Sequence, residues 1–134
     1  MKRDINFLPV EGVQVVVARK LNDLNDYDWQ VYLINQNDVP IANVFVTSKG
    51  YGRVQEEITK TSTLRHFFTG LQPGEFQVVE TIMPEVFHLN NEYWVSYFID
   101  DQVYDKKFIF VPDSITDQHL VKIPALGLEG VLHA

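Results

Sequence analysis

Hydrophobic and polar residues alternate with a period of two along most of this chain, most clearly between Glu92 and Val111. Residues 92–99 alternate between two sets of side chains, the polar corner Asp100-Asp101-Gln102 follows, and residues 103–111 return in the same pattern. Aromatic and β-branched residues with this period are typical of β-strands. The segment therefore predicts a complete β-hairpin.

The same pattern predicts five more strands upstream of the hairpin, over residues 13–20, 29–35, 41–48, 63–69 and 75–83. Residues 49–62 form the longest predicted irregular stretch, with Gly50 and Gly52 near its start. About seven short strands separated by turn residues favour an all-β fold, which we interpret as an immunoglobulin-like two-sheet antiparallel sandwich. A small barrel is the alternative.

The two ends of the chain depart from the strand pattern. Residues 1–12 are predicted to be a loose lead-in, with Pro9 and Gly12 interrupting it. Ser114-Ile115-Thr116-Asp117 fits a capping box, which predicts a short helical turn over residues 114–120. The apolar tail that follows should dock on the body, so residues 112–134 join a single predicted domain spanning 1–134.

Several strands carry large apolar groups on both faces, and the predicted sixth strand shows this best. Trp94 and Phe98 share one face, and Tyr93 and Tyr97 share the other. Only one face can meet the second sheet of a two-layer sandwich. Because a tyrosine hydroxyl seeks water or a partner, we assign the Trp94/Phe98 face to the core and the Tyr93/Tyr97 face to partner contact. The surplus apolar face then needs the tail, a partner subunit or a ligand to cover it.

Composition places the chain among acidic, cysteine-free globular proteins. It has 134 residues, 46% hydrophobic content, no cysteine and a formal net charge of −7. The absence of cysteine excludes disulfides and thiolate metal sites and favours a reducing compartment. We expect a cytoplasmic protein, because no signal peptide or membrane-spanning segment is apparent. The acidity argues against general nucleic-acid binding.

The sequence shows no assembled catalytic or cofactor motif. The four histidines lack the His-x-x-x-His spacing of a helical metal site, and no Gly-x-Ser-x-Gly elbow is present. We therefore predict no catalytic residues, no metal site and no cofactor. A calcium-binding sandwich stays an alternative, provided that two aspartate clusters lie at one end: Asp23, Asp26 and Asp28, and Asp100, Asp101 and Asp105.

One region combines basic and aromatic residues. Lys49, Tyr51 and Arg53 surround the two glycines, and Arg65 and His66 follow in the predicted fourth strand. Glycines beside an aromatic ring and arginines are suited to stacking a base or holding a phosphate. The other interpretation is a long hairpin loop with solvated charges.

Five segments of the chain resemble a family of short bacterial proteins that is often labelled phenylalanyl-tRNA synthetase alpha subunit: Trp29–Asn35, Ser48–Tyr51, Thr63–His66, Leu89–Glu92 and Tyr104–Phe108. The resemblance implies no established activity. The residues do not support the synthetase label, because no arginine follows Phe67 or Phe68 as the ATP-binding motif of that enzyme class requires.

Together these observations favour a non-enzymatic β-sandwich that acts through protein contacts, with a protein partner or as a homodimer. The predicted ligand- or partner-binding residues are Lys49, Tyr51, Arg53, Arg65, His66, Tyr93 and Tyr97. The first alternative is an RNA- or nucleotide-associated protein that uses the Lys49–Arg53 and Arg65–His66 region. The second is a small hydrolase-type or calcium-binding sandwich.

Overall fold

The computed structural model describes residues 7–9 and 11–133, and in this part of the chain eleven strands form two sheets. The strands are β1 (Phe7–Pro9), β2 (Val13–Leu21), β3 (Tyr27–Asn35), β4 (Ile41–Val54), β5 (Glu57–Lys60), β6 (Leu64–Leu71), β7 (Phe76–Thr81), β8 (Asn90–Ile99), β9 (Gln102–Phe110), β10 (Val121–Ile123) and β11 (Leu128–His133). Short 3-10 turns lie at Pro84–Val86 and Asp117–His119. The predicted all-β, two-sheet sandwich is confirmed.

The first sheet has six strands in the order β1-β9-β8-β4-β5, and β6 pairs with β4 on the same side as β5. The second sheet has five strands in the order β10-β11-β2-β3-β7. All pairings are antiparallel except that of β1 with β9. Valine and leucine side chains from β2 and β3 pack against β4, β8 and β9 to form the main core, and its central members are fully buried: Val15, Val17, Leu33, Val46, Val95 and Phe108.

The strand count exceeds the predicted seven because three stretches without predicted strands contain them: the lead-in has β1, residues 49–62 have β5, and the tail has β10 and β11. The predicted loop over residues 49–62 is the end of β4 plus β5, joined at Gln55 and Glu56, both with positive φ (50° and 68°). Two central residues with positive φ match the twist of a hairpin. Gly50 and Gly52 stay in the strand, where a Cβ on Gly50 would lie 2.9 Å from Thr61 Cγ2.

The tail packs on the body as two strands and the turn between them. β11 pairs with β2, and residues 123–128 fold back over the outer face of the five-stranded sheet. There the tail covers a second apolar cluster on β2 and β3, made by Val16, Ala18, Tyr32 and Ile34. The tail therefore buries the part of this apolar face that β2 and β3 form.

The ends differ from the sequence prediction in detail. The lead-in contains β1, paired in parallel with β9, whereas residues 1–6 and 10 lie outside the described part. The predicted helical turn is a 3-10 turn at Asp117–His119, but the capping box is wrong. Ser114 Oγ donates instead to the Val111 carbonyl at 2.6 Å, and Thr116 precedes the turn without a side-chain cap.

No helix in residues 7–9 and 11–133 has the length and apolar character to cross a membrane.

Candidate functional site

The outer face of the six-stranded sheet exposes several aromatic rings, whereas the tail covers the β2–β3 part of the other sheet's outer face and leaves Phe76 exposed at the β7 edge. Phe45, Phe67 and Trp94 are 50%, 52% and 44% exposed, respectively. The Phe45 and Phe67 rings lie on neighbouring strands with centroids 4.9 Å apart. We call this surface the aromatic face. Aromatic side chains exposed in a group are a feature of interaction surfaces.

Charged residues flank the rings of the aromatic face. Trp94 Nε1 donates a hydrogen bond to Asp105 Oδ1, and Lys107 Nζ lies 4.8 Å from the Trp94 ring centroid. Arg65 on β6 pairs with Thr47 on β4, and its side chain is exposed. The face therefore combines an apolar centre with cations and one carboxylate, which is the chemistry of a protein-binding surface.

The face assignment made from the sequence is wrong for β8. Tyr93 and Tyr97 are 2% and 0% exposed and point into the sandwich, whereas Trp94 is outside. Their hydroxyls find partners inside: Tyr93 donates to Glu80 Oε2 at 3.4 Å, and Tyr97 donates to the Glu11 carbonyl at 3.3 Å. Because each hydroxyl has a hydrogen-bond partner inside the sandwich, tyrosine can occupy the core. Neither residue is on a partner-facing surface.

Burial also changes the acidity of both hydroxyls. Removal from solvent raises the pKa of Tyr97 to about 12, and the hydrogen bond that its hydroxyl makes with Asn37 opposes the shift. Desolvation raises the pKa of Tyr93 further, and the nearby Glu80 carboxylate adds to the effect. Both tyrosines therefore stay neutral at physiological pH.

Three of the predicted basic and aromatic residues come together on the β4–β5 hairpin. Lys49, Tyr51 and Arg53 line a surface cavity of about 580 Å³ with Lys60 and Glu92. Tyr51 donates its hydroxyl to Glu92 Oε1 at 3.2 Å, and Lys49 Nζ lies 3.7 Å from Glu92 Oε2. Burial, with help from Glu92, raises the pKa of Tyr51. This cavity continues the aromatic face toward the hairpin tip.

The last two members of the predicted basic set, Arg65 and His66, lie on opposite faces of β6. Arg65 is on the aromatic face, whereas His66 points inward and places Nε2 2.8 Å from Glu80 Oε1. Alternation along a strand separates neighbouring residues in this way. The structure therefore divides a pair that the sequence suggested as one site.

Glu80 on β7 is the centre of an inter-sheet polar cluster that the sequence analysis missed. It accepts hydrogen bonds from Ser48 Oγ at 2.5 Å, from His66 and from Tyr93, all of which belong to the opposite sheet. In a serine-hydrolase triad the histidine lies between the serine and the acid. Here the acid lies between Ser48 and His66, so the histidine cannot activate the serine. The cluster satisfies buried polar groups where the sheets meet.

The two aspartate clusters lie at opposite ends of the sandwich, which removes the condition for the calcium alternative. The Tyr97–Glu11 hydrogen bond brings the end of β8, next to Asp100 and Asp101, to the start of β2. The cluster at Asp23, Asp26 and Asp28 follows the far end of the nine-residue strand β2. No group of three or more histidine or carboxylate side chains that could hold a metal is present among the described residues.

Phe45 and Phe67 are the aromatic-face residues that the sequence analysis overlooked. Both lie in alternating segments, and each is followed or preceded by another apolar residue, so their outward direction had no local signal. Their pairing across β4 and β6 depends on the register of two strands.

Comparison with known protein families, curated proteins and solved structures finds no match.

Proposed function

We propose that this chain is a non-catalytic β-sandwich module that acts through protein contacts on the aromatic face. The observation that carries the proposal is the difference between the two outer faces. The tail covers the β2–β3 part of one and leaves a single ring, Phe76 on the edge strand β7, about half exposed. On the other, three rings are about half exposed: Phe45, Phe67 and Trp94. Aromatic residues and arginine are enriched where proteins bind one another.

The inter-sheet cluster supports a binding role over a catalytic one. Glu80 already accepts hydrogen bonds from Ser48, His66 and Tyr93, so these donors are engaged in joining the sheets. Tyr93 is buried at 2% exposure and Ser48 at 4%. A cavity of about 290 Å³ borders Ser48, Glu80 and Tyr93, but the polar groups that it reaches are already paired with one another and stabilise the sandwich.

Nucleic-acid binding is the second candidate, and one observation favours it. Arg53, Lys60 and Arg65 are exposed cations near the aromatic face, and none has a carboxylate within ion-pair distance in the described part of the chain. Phosphate contacts would use such cations. However, Lys107 lies over the Trp94 ring and Lys49 lies 5.7 Å from the Tyr51 centroid, so base stacking would have to displace a lysine.

Photocrosslinking in the cells that produce the protein tests the proposal. The substitution Phe67→p-benzoylphenylalanine places the probe on the aromatic face, and Phe76→p-benzoylphenylalanine on β7 is the matched control, because Phe76 is 45% exposed. We expect discrete protein adducts from position 67 and none from position 76. Absence of adducts from position 67, or the same adducts from both positions, would overturn the proposal.

The same samples separate the second candidate from the first. Adducts that disappear on nuclease treatment would indicate nucleic acid. Fluorescence anisotropy with tRNA over a salt series provides the direct measurement, because phosphate contacts weaken steeply as salt rises. Absence of tRNA binding at low salt would remove the nucleic-acid function.

A further inference from the structure

We infer that the partner of the aromatic face is a second copy of this chain, bound face to face in a two-fold symmetric dimer. The inference rests on the proposed function and names the partner. It comes from the order of the side chains in two neighbouring rows that cross four strands of the six-stranded sheet.

The strand register places the eight outward-pointing residues of these rows. The first row runs across β6, β4, β8 and β9 as Arg65, Thr47, Trp94 and Lys107. The second row, two residues away on each strand, runs as Phe67, Phe45, Ser96 and Asp105. The Phe45–Phe67 ring contact and the Lys107–Trp94 contact show that these side chains share the outer face.

A two-fold axis that lies between the rows, parallel to the sheet and perpendicular to its strands, exchanges the rows between the two copies. On every strand, the first-row residue of one copy then faces the second-row residue of the same strand in the other copy. Trp94 meets Ser96, and Phe45 meets Thr47, so in both pairs a large ring faces a small side chain. Large and small residues in opposition allow two sheet faces to interdigitate.

The two outer strands complete the match with charge. On β6, Arg65 meets Phe67, which is a cation–π pairing of a guanidinium with an aromatic ring. On β9, Lys107 turns from the Trp94 ring of its own copy to meet Asp105 of the other, which is a pair of opposite charges. Each pairing occurs twice in the dimer, because the axis repeats it with the copies exchanged.

The face-to-face arrangement made by turning the axis through a right angle is electrostatically unfavourable. An axis parallel to the strands, between β4 and β8, would place β6 of one copy over β9 of the other. Arg65 would then meet Lys107, and Phe67 would meet Asp105. Like charges in opposition disfavour association. The side-chain order therefore selects the first axis, with sheets about 10 Å apart and strands within about 30° of antiparallel.

A charge-swap series measured by sedimentation equilibrium, from micromolar to high-micromolar concentration, tests this dimer. Lys107→Asp places two carboxylates together in both of the β9 pairs, and Asp105→Lys places two ammonium groups together there. We expect each single variant to raise the dimer dissociation constant by about tenfold or more. The double variant K107D/D105K restores opposite charges and should recover most of the wild-type affinity.

Two further measurements show whether a change in dimer affinity comes from the interface and not from misfolding. Thermal unfolding of each variant shows whether it folds, which matters most for Asp105→Lys because Trp94 Nε1 donates to Asp105. Phe67→Ser should also weaken the dimer, whereas Leu24→Ser, which removes an apolar side chain 88% exposed in the β2–β3 loop, should leave it unchanged.

The outcomes distinguish this inference from the proposed function. A wild-type chain that stays monomeric at every concentration, or a double variant no better than the folded single variants, would overturn the dimer. If photocrosslinking from position 67 then gives adducts with a different protein, the module still binds through the aromatic face. Absence of every protein adduct would overturn both.

Discussion

His66 Nε2 on β6 lies 2.8 Å from Glu80 Oε1 on β7, and this contact joins the edges of the two sheets. The carboxylate also accepts from Ser48 and Tyr93, so one side chain of the five-stranded sheet satisfies three donors of the six-stranded sheet. Within the described residues, no buried side-chain nitrogen or oxygen is left without a partner. Where the two sheets meet, Glu80 supplies the acceptor for the buried donors.

Removing the Glu80 carboxylate should therefore weaken the sandwich. Glu80→Ala leaves the buried Ser48 and Tyr93 hydroxyls without their acceptor, and each such loss costs about 1–3 kcal/mol. We expect the free energy of unfolding to fall by about 3 kcal/mol in urea titrations. Glu80→Gln keeps one acceptor oxygen and should cost less. The control Glu57→Ala, at an exposed strand position, should change stability little, and equal losses at both positions would contradict the role of the cluster.

The corrected orientation of β8 predicts which aromatic residue holds the core together. Tyr97 is fully buried and stacks on Tyr104 at 5.3 Å, whereas Trp94 is 44% exposed. Tyr97→Ala should cost about 3–5 kcal/mol, because it removes a large buried ring and leaves a cavity. Trp94→Ala should cost roughly 1 kcal/mol, since less apolar area returns to water. Chemical unfolding of both variants measures the difference, and a larger loss for Trp94→Ala would contradict it.

The raised pKa of Tyr97 predicts a loss of stability in alkaline solution. In the unfolded chain a tyrosine titrates near its ordinary pKa of 10, whereas in the folded chain Tyr97 holds its proton to about 12. The stabilisation is complete below pH 10 and is lost as the pH rises toward 12, because the unfolded state releases the proton first. We expect Tyr97→Phe to flatten the decline by up to about 1.4 kcal/mol per pH unit.

Unfolding measured from pH 9 upward tests this dependence. Tyr93→Phe should flatten the curve in the same direction, because burial also raises the pKa of Tyr93. The direct cost of each lost hydroxyl is read at neutral pH and subtracted. Identical slopes in the wild type and both variants would contradict the assignment.

The β4–β5 turn offers a stabilising substitution. Glu56 has φ of 68°, a region that glycine occupies readily and other residues occupy at a cost of about 1–2 kcal/mol. Glu56→Gly should therefore raise the free energy of unfolding by about 1 kcal/mol. Glu57→Gly is the matched control, because Glu57 is in β5 opposite Val54, where glycine should destabilise. Destabilisation by both substitutions would show that the positive φ is not the controlling factor.

Local patterns in the sequence were sufficient to predict seven of the eleven described strands and the two-sheet class. Alternation with a period of two is a property of a few consecutive residues, so residues 92–99 and 103–111 indicated the β8–β9 hairpin directly. The hairpin at Gln55 and Glu56 was missed because neither residue is the glycine, asparagine or aspartate that usually signals such a turn.

Tertiary structure alone decided which face of each strand is buried. The alternating sets Tyr93/Tyr97 and Trp94/Phe98 are both apolar enough for a core, so no local signal separates them. The choice depends on acceptors from remote parts of the chain: Glu80, 13 residues before Tyr93, and the Glu11 carbonyl, 86 residues before Tyr97. A buried hydroxyl is tolerated only where a hydrogen-bond acceptor lies within reach, and the position of that acceptor depends on how the sheets pack.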